Sequence, residues 1–284
     1  MAGVFSLGFQ ETQSAERRTG EMELSTVTYV ILFLVGIAAG IIGGLLGTGG
    51  CVLMLPAARF GFGFPPALAV GTTITAVVFT AGSGAWKHLK MGNVDKGTSF
   101  WVGLFGVGGV ILGSIVFGYL IPYGSTIDLI VGLAFIWAAL RMLYEGLFIK
   151  QPPGGPGDQV PGKRSSKGIL GAFIGFLTGI IGLGGGYALV PSYVYLFKAP
   201  MKIAIGTSMA SFFSIALVGS VIKIYQGVVD IPAGIVMGIG AAIGAVYGAK
   251  LVAKVPASVL KTLFGLLFTY VALKYILRYF GITI

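Results

Sequence analysis

The recurrence of apolar runs about as long as a bilayer is thick constrains this chain more than any other feature. They fall at residues 27–59, 66–86, 98–121, 126–149, 168–197, 203–222, 231–249 and 259–281, and a helix needs about 20 residues to cross the hydrocarbon. The runs are continuous rather than alternating in polarity. That predicts helices instead of a barrel, because lipid offers no partner to an open strand's backbone. Composition agrees: 56% of the 284 residues are hydrophobic and 10% are charged, too little charge to cover a water-soluble surface. The expected fold class is an all-α integral membrane protein, multi-pass, with the lipid bilayer as a partner.

The few charged residues narrow the function. The net charge of +10 is scattered at the ends of the apolar runs rather than gathered on one face, so it reads as a topology signal and not as a nucleic-acid surface. A single cysteine, Cys51, precludes an internal disulfide, and a single histidine, His88, precludes a multi-histidine metal site. No metal or cofactor is expected. An intramembrane enzyme needs convergent acids, bases or nucleophiles. Only nine acidic residues exist, and Glu11, Glu16, Glu21 and Glu23 lie in the N-terminal tail, so no catalytic residues and no enzyme are expected.

Residues 1–25 form a polar tail without the apolar core of a signal peptide. Residues 151–167 include Pro152, Pro153, Gly154, Gly155, Pro156 and Gly157 and read as a linker. It separates two transmembrane units, residues 26–150 and 168–284. These are repeats: the run from Gly44 through Gly47, Thr48, Gly49 and Gly50 recurs 135 residues later from Gly179 through Gly182, Leu183, Gly184 and Gly185. The same register carries Pro56 onto Pro191, Thr72 onto Thr207 and Asp95 onto Asp230, and it survives to Gly113 and Gly248. Two homologous four-segment halves follow.

Each half opens with an apolar run longer than one span, with four glycines at its centre. Such a run predicts two short helices meeting at a glycine turn near mid-membrane. A broken helix leaves N–H groups unpaired and turns its positive dipole end inward, which attracts an anion. On this reading Gly47, Thr48, Gly49, Gly50 and Cys51, with Gly182, Gly184, Gly185 and Gly186, bring the backbone close to a bound oxyanion. Thr72, Thr73, Thr207 and Ser208, early in the next segment of each half, complete its coordination. The competing reading is that the glycines only pack helices and the hydroxyls only bond their own turns.

The paired glycine-rich segments ending at Pro56 and Pro191, each followed by Gly71-Thr72-Thr73 or Gly206-Thr207-Ser208, resemble the sulfite exporter TauE/SafE family, also called the toluene-sulfonate uptake permeases. The resemblance covers residues 27–281. It implies secondary transport, with export favoured, of a small sulfur-containing anion or organic acid, such as sulfite, a sulfonate or sulfoacetate, across a prokaryotic cell membrane. Cys51 and Thr48 depart from the second copy, which has Gly186 and Leu183 there. An anion channel or pore is the alternative, and a membrane accessory subunit a more distant one.

Other charged positions have plainer expectations. Asp95 and Asp230 sit at loop boundaries and predict helix caps. Arg141 and Lys274 fall inside apolar segments, where they serve the transported ion or snorkel to the interface. His88, between Lys87 and Lys90, is expected in a loop. Basic residues also address orientation: Lys87, Lys90 and Lys96 flank the second loop of the first half, whereas Lys250, Lys254 and Lys261 flank the third loop of the second. Opposite charge in equivalent loops favours inverted repeats.

Overall fold

The computed structural model describes residues 25–148, 157–182, 185–251 and 257–280, and all regular structure among them is helical. In the first half α1 is Thr26–Leu46, α2 is Cys51–Pro56 continued by a π-helical turn over Ala57–Gly61, α3 is Pro66–Lys90, α4 is Lys96–Leu120 and α5 is Gly124–Leu147. The second half holds α6, Arg164–Ile181; α7, Gly186–Pro191, continued by a π turn over Ser192–Leu196; α8, Met201–Tyr225; α9, Ile231–Leu251; and α10, Ala257–Tyr279. The starts of α7, α8 and α9 lie 135 residues beyond those of α2, α3 and α4. The repeat seen in the residues is therefore also a repeat of elements.

Local chemistry sets these boundaries. The Ser25 hydroxyl caps α1 by accepting the Thr28 N–H at 3.3 Å, and α1 stops where Gly47 turns left-handed at φ 72°. Pro65 and Pro66 open α3 with a fixed φ. Asp95 caps α4 through the Thr98 N–H at 3.0 Å, and Asp230 accepts the Ala233 N–H at 2.9 Å.

Among the described residues six helices (α1, α3, α4, α5, α8 and α9) are long and apolar enough to cross a membrane. Their outward surfaces suit lipid: Phe100, Leu104, Ile111, Leu112 and Ile115 on α4 and Ile235, Ile239 and Ile243 on α9 are exposed. No water-soluble fold shows such continuous apolar faces to solvent.

Glycine ladders hold the helices together across the two halves. On α1, Gly36, Gly40 and Gly44 stand against Met237, Ala241 and Ala245 of α9 so closely that a Cβ on any of them would strike backbone. Val102, Gly106 and Val110 of α4 face Gly171, Gly175 and Gly179 of α6 in the same way. Small residues four apart let two helices touch along their backbones, where dispersion replaces the missing hydrophobic force. In both pairs the numbers rise together, so α1 runs parallel to α9 and α4 parallel to α6. The central pair behaves oppositely: Gly84 meets Met209, Gly82 meets Phe213 and Ile74 meets Gly219, so α3 and α8 are antiparallel. α5 packs on α10.

Candidate functional site

The turn between α1 and α2 is built from left-handed glycines. Gly47, Gly49 and Gly50 have φ values of 72°, 74° and 76°, a region costly to any residue with a Cβ. They reverse the chain so that Gly50 returns against Ala39 and Gly43 of α1. Gly44 and Gly179, in contrast, pack against neighbouring helices, so the repeated motif divides into packing glycines and turn glycines. In the second turn Gly182 has φ 66° and lies against Val70, while Gly185 lies against Ile174 and Phe212. Gly184 lies outside the described residues.

The two turns meet. Gly186 is in contact with the Gly47 carbonyl and Thr48, and Gly49 sits between Val77 and Phe212, which are equivalent residues near the midpoints of α3 and α8. Ser208 of the second half donates from its hydroxyl to the Gly47 carbonyl of the first at 3.1 Å. The junction gathers Gly47, Thr48, Gly49, Gly186 and Ser208, with Gly50 and Cys51 continuing into α2. The Cys51 thiol donates to the Thr48 carbonyl at 3.4 Å, a turn-closing bond. Thr48 is 3% exposed and Thr73 fully buried, yet neither hydroxyl has a hydrogen-bond partner. Buried polar groups are nearly always paired, so two orphan hydroxyls point to a ligand or water.

Thr72 and Thr207 have defined partners. The Asp230 N–H donates to the Thr72 hydroxyl at 3.0 Å, and the Asp95 N–H donates to the Thr207 hydroxyl at 2.9 Å. Each threonine thus ties its helix to a loop of the opposite half. Spacing alone held no sign of this crossing, because partners at a separation of 112 or 158 residues are joined only by the tertiary fold.

Asp95 anchors a further network. Its carboxylate accepts the Thr98 hydroxyl at 2.6 Å and the Val160 N–H at 3.0 Å, while Lys167 Nζ lies 3.9 Å away. Burial raises the Asp95 pKa, but these hydrogen bonds and the Lys167 charge outweigh it and hold the pKa below the ordinary value.

His88 is not in a loop. It lies in the last turns of α3, fully buried, with Nε2 3.3 Å from the Gly44 carbonyl; the flanking lysines marked a helix end, not a loop. Arg59, which sequence reasoning passed over, makes a buried bidentate pair with Asp128, its Nε and Nη2 donating at 2.9 and 2.6 Å, and also donates to the Phe64 carbonyl. That clamp ties the π turn after α2 to α5. Arg141 pairs with Glu145 at 2.7 Å. Lys274 borders a cleft of about 200 Å³ between α2 and α10, otherwise walled by apolar and aromatic residues such as Val52, Leu53, Pro56, Phe60 and Tyr270.

The family model for sulfite exporter TauE/SafE matches residues 32–275. This chain belongs to that family. It is 30% identical over 222 residues to YunE of Bacillus subtilis, a probable membrane transporter protein, covering 71% of this chain and 80% of the relative. A probable membrane transporter protein of Xylella fastidiosa is 32% identical across 65% of this chain and 68% of its own. One from Methanocaldococcus jannaschii is 28% identical across 73% and 80%. No solved structure matches. Like the rest of the family, the protein is a multi-pass membrane transporter and not an enzyme.

Proposed function

We propose that this TauE/SafE member is a secondary carrier that exports a small sulfur-containing anion, such as sulfite or a sulfonate, across the cell membrane, and that the anion binds between the two glycine turns. The observation that carries the proposal is the meeting of the turns, where Gly186 touches Gly47 and Thr48, whose buried hydroxyl has no partner. Turn backbones without side chains let an oxyanion reach N–H groups. Hydroxyls supply further donors without a fixed charge.

The proposed architecture is a pair of inverted repeats, each opening with a helix broken by glycines. Parallel α1 and α9, parallel α4 and α6 and antiparallel α3 and α8 support it, because these are the directions expected when α1, α3 and α4 run opposite to their counterparts α6, α8 and α9. Inverted halves with a site at their junction are suited to alternating access, since exchanging the conformations of the halves exposes the site to the other face. An inside-negative potential drives one negative charge outward by about 2.3 kcal/mol per 100 mV, roughly a fiftyfold gradient. Export therefore needs no coupling ion.

The test is sulfite flux from proteoliposomes under a potassium-valinomycin potential of either sign, without proton or sodium gradients, for wild type and Gly49→Val. Saturable flux that follows the potential and is lost in the folded variant is expected. Flux linear in concentration would make the protein a pore. Dependence on a proton or sodium gradient would make it an ion-coupled carrier, and normal flux in the variant would remove the site from the glycine turns.

A further inference from the structure

Lys223, near the C-terminal end of α8, is fully buried, and its ammonium has no hydrogen-bond partner. Its Nζ lies 3.2 Å from the centre of the Phe117 ring on α4, a cation–π contact that leaves three N–H donors unused. Among the described residues the other buried arginine and lysine are compensated: Arg59 by Asp128, and Lys167 by Thr98 and the Val160 carbonyl. About one turn away lie two more orphans, the buried Ser114 hydroxyl on α4 and the side-chain carbonyl of Gln226, which caps the C-terminal end of α8. The Gln226 amide donates to the Ser114 backbone carbonyl at 2.7 Å, which ties the end of α8 to α4 about one turn from the contact of Lys223 with Phe117.

The fold itself does not require this patch. The equivalent positions are His88, whose Nε2 has the Gly44 carbonyl as a partner while its Nδ1 has none, and the uncharged Met91 and Ala249. A buried ammonium without an acceptor is costly, and it is compensated when an anion arrives.

We infer that Lys223, Ser114 and Gln226 form a second oxyanion subsite, on the substrate's route between the glycine turns and the membrane face that carries the Gly227 loop. Lys223 and Ser114 donate to the anion, and Gln226 accepts from a protonated oxygen or a bridging water. Lys223 and Ser114 are fully buried, which keeps lipid headgroups from them, so a soluble oxyanion enters when α8 shifts against α4. The inference rests on the anion-transport reading, and binding and flux separate the two.

The experiment measures thermal stabilisation of the purified full chain by sulfite, sulfate and chloride, together with concentration-dependent sulfite flux in proteoliposomes. Lys223→Met is expected to raise the melting temperature without ligand, because the orphan charge is gone, while abolishing the stabilisation by sulfite. Its half-saturation concentration for flux should rise about tenfold or more, as expected when a charged hydrogen bond to the ligand is lost. Lys223→Arg should restore both. Gly49→Val, which removes the proposed central site, should keep the Lys223-dependent stabilisation, so failure of that site leaves this one visible. Should Lys223→Met fail to insert, Ser114→Val carries the same test. Unchanged sulfite stabilisation and half-saturation in a well-inserted Lys223→Met or Ser114→Val variant would overturn the subsite. So would an absence of oxyanion stabilisation in both wild type and Gly49→Val.

Discussion

Replacing Gly186 by alanine tests whether the two turns touch. Its φ lies outside the left-handed region, so the substitution acts through space and not through backbone strain. The added Cβ would stand 2.5 Å from the Thr48 Cα and 2.7 Å from the Gly47 carbonyl carbon. Both neighbours are backbone, which cannot rotate away. Restoring an ordinary contact of 3.4 Å to the Thr48 Cα requires the turns to part by at least about 0.9 Å, and the Gly47 carbonyl oxygen stands closer still. Overpacking of this kind costs about 1–3 kcal/mol. A displacement near 1 Å at a site that must hold its ligand in register costs on the order of a hundredfold in rate where bonds are made. Sulfite flux, normalised to reconstituted protein, should therefore fall by at least roughly tenfold, with a lowered melting temperature in detergent. Gly108→Ala on α4, where a Cβ meets nothing within 4 Å, is the control and should match wild type. Wild-type flux and stability in Gly186→Ala would refute the contact between the turns and with it the shared site.

Three further outcomes follow from the same geometry. Asp128→Ala strands the Arg59 guanidinium in a buried site and should destabilise the protein by about 3–5 kcal/mol, whereas the double variant Arg59→Met with Asp128→Leu should recover most of that loss; thermal unfolding in detergent reads both. Single-cysteine reporters near Gly92 and near Gly227, in a Cys51→Ala background, should react with an impermeant reagent from opposite faces of the membrane, and labelling from one face would mean parallel halves. Because the folded Asp95 pKa is lowered, its stabilisation is present above the unfolded value of about 3.9 and is lost as pH falls through the lower folded value. Asp95→Asn should accordingly lower stability at neutral pH and flatten the acid limb of a stability profile below about pH 4, and an unchanged acid limb would show that this carboxylate does not carry it.

Much of the fold was legible because its signals are local. Gly47, Gly49 and Gly50 mark a turn wherever they stand, since only glycine adopts left-handed φ without cost. Asp95 and Asp230 cap helices through bonds three residues away. The site was legible only in part. The glycines and hydroxyls could be named, but Thr72 and Thr207 bond loops of the opposite half. Arg59, His88 and Lys223 revealed nothing in a row of neighbours, because a charge or an imidazole near a helix end usually faces water or headgroups.

The sequence by itself determined that this chain is helical, lies in a membrane, is built from two copies of one unit and turns sharply at its glycines, because length, apolarity and φ preference act on residues close in the chain. Only the tertiary structure decided that α1 joins α9 and α4 joins α6, that Gly186 meets Gly47, and that the Lys223 ammonium is enclosed against Phe117. In lipid every helix face is about equally apolar, so hydrophobicity does not choose among partners. Close fit between small residues does, and fit is a property of two surfaces that no single segment contains.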